Sequence, residues 1–193
     1  MTAASGSRGA PARRNRGPAA AERNRRALLA AGRDLLATEG LAVPLSAVAK
    51  RAGVGQGSLY RHFPSRVALI AAVFEENLDR IEQFVATGER TLDEVFAMLV
   101  DQAVASTALV EAINAHRDDA GVARLGRRFA EVVDGVVEAE RAAGRLADDI
   151  TVDDIRLAIG MLAGEIARID AAERAGAAAR ARRIVLAGLR PRP

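Results

Sequence analysis

The sequence predicts an all-α chain, and three observations predict it. Apolar residues recur at spacings of three and four along most of its length. Cap-forming residues and glycines punctuate those stretches where helices should start and stop. No segment alternates apolar and polar residues long enough to read as a strand, and no sequence repeat is visible. The expected arrangement is a helix-turn-helix head joined by a long helix to a helical body.

Residues 1–20 are rich in Ala, Gly, Ser, Pro and Arg and show no apolar period, so they read as a disordered basic arm. Such an arm either follows DNA phosphate or a minor groove, or is a solvated tail without a role. Glu22 to Glu39 reads as a helix whose stripe is Leu28, Ala31, Leu35 and Leu36, closed by Gly40 as a C′ glycine. Arg23, Arg25 and Arg26 lie near its first turn, where cations oppose the macrodipole, and phosphate contact is one reason for them to be there.

The stretch Leu45 to Arg66 organises the rest. A short helix from Leu45 to Arg51 presents Ala47, Val48 and Ala49 as a small apolar face. Gly53 supplies the backbone freedom of a sharp turn. A second short helix runs from Gln56 to His62, anchored by Leu59 and Phe63, and leaves Gln56, Ser58, Tyr60, Arg61 and His62 facing outward. Pro64-Ser65 ends it and starts the next helix. Two steeply set helices around a glycine turn describe a helix-turn-helix, whose second helix can enter a major groove.

Beyond it, Ser65 to Val85 reads as a long helix with Val67, Ile70, Phe74, Leu78, Ile81 and Val85 in step. Thr91-Leu92-Asp93-Glu94 is a capping box opening a helix that carries Val95, Met98, Leu99 and Val104. Leu109 to His116 reads as a short helix. Asp118 is placed to cap the next, which runs to Ala143 and is closed by Gly144. Thr151 to Asp154 resembles another cap, for a helix carrying Ile155, Ile159, Leu162, Ile166 and Ile169. Asp170 is placed to cap a last helix to Leu189. Gly160, Ala163, Gly164 and Ala167 are small residues near one side of the penultimate helix and permit a second helix to approach closely.

Charge divides the chain. Residues 1–66 hold 12 Lys+Arg against 3 Asp+Glu, a net +9, while residues 67–193 hold 16 against 22, a net −6. That asymmetry points to a polyanion partner for the first third alone. The chain has no cysteine, which removes disulfides and thiolate metal sites. No apolar run approaches the roughly 20 residues of a membrane span, and the arginines at the start precede no apolar core of a secretory signal. A cytoplasmic protein with no membrane association is the simple expectation.

The string Val48-Ala49-x-x-Ala52-Gly53-Val54-Gly55-x-Gly57-Ser58-Leu59-Tyr60-Arg61-His62-Phe63, followed by Arg66, resembles the TetR family of bacterial transcriptional regulators. The resemblance is dense and gapless and covers roughly Glu22 to Ile81. Beyond that only length and helix pattern agree. Three residues depart from the family's usual pattern. Gly55 stands for a capping serine, at a cost of a few tenths of a kcal/mol. Ser58 stands for threonine and keeps the hydroxyl. Pro44 stands for a capping threonine and removes whatever phosphate contact that residue makes.

The resemblance implies a DNA-binding domain over residues 21–81 and a helical ligand-binding and dimerisation domain over residues 82–193. The DNA-contacting set is Arg51, Gln56, Ser58, Tyr60, Arg61, His62 and Arg66. Tyr60, His62 and Arg66 resemble phosphate-contacting positions, while Gln56 and Ser58 can reach base edges or phosphate, glutamine pairing well with adenine. The partners implied are double-stranded DNA with a palindromic operator, a second copy of the chain, and a small-molecule effector; neither cofactor nor catalysis is implied. Candidate effector-binding residues are Phe74, Asn77, Phe96, Met98, Gln102, Asn114, His116 and Phe129. The expected dimer interface, a four-helix face from the last two long helices of each subunit, comprises Ile155, Ile159, Gly160, Leu162, Ala163, Gly164, Ile166 and Val185.

Other chemistries fit less well. Ser58 and His62 stand four apart on a helix, as a nucleophile and base would, but no orienting carboxylate or oxyanion hole accompanies them. His116-Arg117-Asp118-Asp119 has metal-ligand types but reads better as a polar interhelical loop with a cap. Two rivals come from other classes: a nucleoid-type binder without sequence preference, and a helical ligand-binding or interaction module with weak or non-specific DNA binding.

Overall fold

The computed structural model describes residues 17–191, which form nine α-helices and one 3-10 turn. Helix α1 spans Pro18–Glu39, with proline at a first-turn position where a missing N–H costs nothing. It starts four residues before the expected Glu22, so Pro18, Ala19 and Ala20 are helical and not part of a disordered arm. Residues 1–16 of that arm lie outside the described residues. A 3-10 turn at Gly40–Ala42, absent from the sequence reading, follows α1, and Gly40 stops the helix at φ +75°. Helices α2 (Leu45–Arg51) and α3 (Gln56–His62) have the expected bounds. Between them Gly53 adopts φ +64°, the left-handed region that favours glycine.

Helix α4 (Arg66–Ala86) begins at Ser65, whose hydroxyl accepts from the Ala68 N–H at 3.1 Å. Helix α5 (Leu92–Ala105) opens on a complete capping box. The Glu94 carboxylate accepts from the Thr91 N–H at 2.9 Å, and the Thr91 hydroxyl accepts from the Glu94 N–H at 3.3 Å. The Thr91 backbone bond, then the Thr91 hydroxyl, hold the Glu94 carboxyl below its ordinary range. The chain then turns through 93° into α6 (Thr107–Ala115).

Helix α7 (Ala120–Ala142) is capped by Asp119 and not by Asp118. The Asp119 carboxylate accepts from Gly121 N–H at 2.9 Å and Val122 N–H at 3.2 Å, placing the cap immediately before the first helical residue. Helix α8 (Val152–Arg168) has a second complete box, from Thr151 and Asp154. Helix α9 (Ala171–Leu189) follows Asp170, whose side chain makes no cap bond. Arg174 instead folds back and donates to the Ile169 carbonyl at 3.1 and 3.3 Å. No single described helix is long and apolar enough to cross a membrane.

The apolar residues gather into two main cores. The first joins Leu28, Leu29, Leu35 and Leu36 of α1 to Val48, Leu59, Phe63, Leu69, Ile70 and Val73. Leu109 and Ala112 of α6 belong to this same core, so a helix far along the chain helps to build the head. The second core lies in the body, around Phe96, Val133, Val137, Ile155 and Leu162.

Helix α4 is fastened at several points along its length. Near its start Gly32 lets α1 approach so closely that a Cβ there would meet Leu69 at 3.2 Å. Arg33 of α1 pairs with Glu76. Farther along, Arg128 of α7 pairs with Glu82 at 2.6 Å, Asp79 at 2.8 Å and Glu75 at 3.6 Å, and Arg124 adds a second bond to Glu75 at 3.0 Å. The hydrogen bonds that it donates to Glu82 and Asp79 raise the Arg128 guanidinium above its ordinary value, so it stays charged throughout.

Candidate nucleic-acid interface and cavity

Helix α3 has seven residues, too few to be stable alone in water. Its inner face explains its presence: Leu59 is fully buried and Phe63 nearly so, both in the head core. With Leu59 pointing inward, Gln56, Gly57, Tyr60 and Arg61 are exposed, and Tyr60 is 52% exposed despite its size. Arg51 is exposed at the end of α2, beside the equally exposed Lys50, which the sequence reading did not single out. Gly55 occupies the cap position of α3 at φ −64°, and nothing lies within 4 Å of where a Cβ would be. A serine would therefore fit there.

Three members of the set are only half exposed, and two of them have partners. The Ser58 hydroxyl accepts from the Asn24 amide of α1 at 3.5 Å, so its side-chain hydrogen-bond partner is Asn24 and not His62. His62 is half-buried beside Phe63. Arg66 is turned partly inward: its guanidinium donates to the Leu41 carbonyl of the 3-10 turn. Arg25 of α1 stacks over the Phe63 ring, 5.8 Å from its centroid, which tethers one of the first-helix arginines against the end of α3. No spacing rule in the sequence couples Asn24 to Ser58 or Arg66 to Leu41; the head's tertiary fold brings them together.

Arg66→Ala is therefore expected to act twice. It should weaken DNA binding and lower the salt dependence, as loss of a phosphate contact does. It should also lower the melting temperature, because the Leu41 carbonyl loses its donor. A parallel salt titration and melting curve check this. A variant with unchanged melting but weakened binding would mean that the Leu41 bond contributes nothing.

A cavity of about 340 Å³ lies where α4 to α8 meet. Six of the eight residues proposed from sequence line it: Phe74, Asn77, Phe96, Gln102, Asn114 and Phe129. Met98 does not. It sits two residues beyond Phe96, about 200° round the helix at 3.6 residues per turn, and so faces elsewhere. His116 does not line it either. Its backbone N–H closes α6 on the Ala112 and Ile113 carbonyls, and its neighbour Arg117 takes the place at the rim. The sequence reading missed the contributions of Ser106 and Ile113 around the sharp α5–α6 turn, which join Leu109 and Val110 there.

The expected interface residues divide between faces. Ile155, Leu162 and Ile166 are buried in the subunit's own cores, and Ile159 and Ala163 face the cavity. Val185 packs half-buried on the body core. Gly160 is exposed and also borders the cavity, and Gly164 is partly exposed. The apolar side chains that face outward are Leu157 and Met161 on α8 and Ile184 on α9, at 62%, 59% and 69% exposure. Helix α8 has apolar residues on opposite sides, and periodicity alone does not say which side meets its own subunit.

The described elements make a helix-turn-helix head on a cavity-bearing helical body, the build of a ligand-responsive DNA-binding regulator. Residues 28–73 match the family model of bacterial regulatory proteins, tetR family. The structure resembles a TetR transcriptional regulator from Streptomyces coelicolor, at 28% identity and TM-score 0.65, over 88% of this chain and 99% of that one. It resembles a TetR transcription regulatory protein from Mycobacterium vanbaalenii at 28% identity and TM-score 0.61, over 89% and 98%. At 16% identity the fold also matches Bacillus subtilis FadR in complex with stearoyl-CoA, with TM-score 0.59 over 85% and 98%. No curated protein matches the chain. Residues 28–73 thus form a DNA-binding domain of the TetR type, on a chain similar along most of its length to TetR-family transcriptional regulators.

Proposed function

We propose that the protein is a homodimeric repressor in the cytoplasm that holds a palindromic operator and is released from it by a small, largely apolar effector. One observation carries the reading. The cavity is walled by α4 and α6, and both helices also contribute to the head core, through Leu69, Ile70 and Val73 on α4 and Leu109 and Ala112 on α6. A ligand that shifts these walls moves the base on which α3 stands. The relative FadR, which shares this fold, is seen with stearoyl-CoA, and that supports an apolar occupant here.

Two heads must meet half-sites roughly 34–36 Å apart or a multiple of that, so an effector that favours another spacing weakens operator binding. By linkage the operator weakens the effector by the same factor, typically 5–150-fold. The test is selection of bound fragments from genomic DNA by the purified protein, followed by operator titration with and without ligand. Recovery of a shared palindrome supports the reading. Equal recovery of unrelated fragments would favour a binder without sequence preference.

The outward apolar face of Leu157, Met161 and Ile184, next to Gly160 and Gly164, is the dimer surface in this reading. Like charges placed there would face one another across a two-fold axis. Met161→Glu is expected to give a folded monomer with much weaker operator binding, seen by light scattering and helical circular dichroism. A variant that stays dimeric at micromolar concentration would move the interface elsewhere.

A further inference from the structure

The charge in the cavity lining has a single sign. No aspartate or glutamate lines it, and its one charged side chain is Arg117, exposed at the rim. Arg117 makes no ion pair among the described residues. Its Nε donates to the Asn114 carbonyl at 3.3 Å, which leaves the outer N–H groups of the fork free. Deeper in, Gln102 lines the cavity, and its Nε2 is enclosed without a hydrogen-bond partner, so that a rotation of the amide brings an unsatisfied donor to the cavity. The Asn77 carbonyl accepts from Arg80, so the donors of that amide are what Asn77 has left to offer the cavity. The site therefore has spare donors beside the neutral hydroxyl and amide groups of Ser106 and Asn114, and no anion, set among Phe74, Phe96 and Phe129.

A buried donor without an acceptor carries a desolvation cost, which a ligand oxygen removes. A cation would enter a cavity holding no negative charge to receive it and facing a guanidinium at the rim. We propose that the cavity takes an apolar compound bearing a carbonyl-type oxygen acceptor, anionic or neutral but not cationic. The oxygen meets the Gln102 amide, and an anionic form places its charge at Arg117. The volume is at the small end of the roughly 300–1,000 Å³ of ligand pockets, so the apolar part is a single short chain or ring system. This rests on the cavity being the effector site, as argued above.

The experiment is calorimetric titration of the purified protein at neutral pH with three probes of one chain length: nonanoate, 2-nonanone and nonylammonium. Nonanoate and 2-nonanone are expected to bind, and nonylammonium to bind at least tenfold more weakly than nonanoate. Gln102→Leu should weaken both acceptors about tenfold, and Arg117→Ala should weaken nonanoate alone. Gln102→Glu keeps the shape and adds the missing charge, so it should reverse the order and admit nonylammonium. Equal binding of nonylammonium and nonanoate to the unaltered protein would overturn the proposal. So would an unchanged affinity of both acceptors for folded Gln102→Leu, or failure of all three probes up to millimolar concentration. If the probes follow the expected order but leave operator affinity unchanged, the ligand class stands and the regulatory reading of the cavity falls.

Discussion

Leu59→Ala is expected to abolish operator binding while leaving the body folded. Helix α3 has seven residues and two apolar anchors, and Leu59 is the one within the helix itself. Truncating a fully buried leucine to alanine costs about 2–5 kcal/mol, from lost transfer energy and the cavity left behind. A helix this short has little intrinsic stability to set against that loss. The exposed positions Gln56, Tyr60 and Arg61 would lose their common orientation together, so binding should fall on every DNA sequence alike. Gel shift on the selected operator, with circular dichroism to monitor the body, checks it. Retention of wild-type affinity would mean that the neighbours of α3, and not its anchor, fix its position.

The second large effect is expected at Arg128. Its guanidinium holds three carboxylates of α4, Glu75, Asp79 and Glu82, which lie along one face at intervals of four and three. Arg128→Ala leaves them mutually repelling, with Arg124 as their remaining partner on α7. The carboxylates are a third to a half exposed, so water screens much of the gain; a loss of about 1–2 kcal/mol in stability fits a shared network of this kind. The larger consequence should be for regulation, because α4 carries the head and this clamp ties its far half to the cavity wall. The effector's influence on operator affinity should shrink toward none, while each ligand alone still binds. Arg128→Lys should restore only part of it, since an ammonium lacks the planar fork that reaches several carboxylates at once. Full coupling in Arg128→Ala would remove the clamp from the signalling route.

The head was legible in the sequence almost residue by residue. Its signals are local: the glycine turn at Gly53, the anchors Leu59 and Phe63 four apart, and the proline and serine that restart the chain. The capping boxes at Thr91 and Thr151 were legible for the same reason, each being decided within four residues. Facts that depend on the far side of the chain were not. Periodicity showed α8 to be apolar but placed Ile155, Leu162 and Ile166 at the subunit boundary, when they fill the subunit's own core and leave Leu157 and Met161 outside. The cavity was legible as a list of aromatic and polar residues on amphipathic helices. Its rim, at Arg117 rather than His116, depended on where α6 ends. Arg66 read as a phosphate ligand because of its position after the turn, and nothing local announces the Leu41 carbonyl it also serves.

The placement of α6 has a consequence for how the molecule comes apart. Leu109 and Ala112 cover part of the apolar surface that α1, α2 and α4 share. A fragment ending near residue 81, where the sequence suggests a division, would present that surface bare to water. Such a fragment should be poorly soluble and melt well below the whole chain. In the intact protein the head and body should lose their amide protection in a single cooperative event. The helix that walls the cavity is thus also a structural member of the head, and evolution of a new ligand specificity at Leu109 is constrained by the stability of the DNA-binding domain.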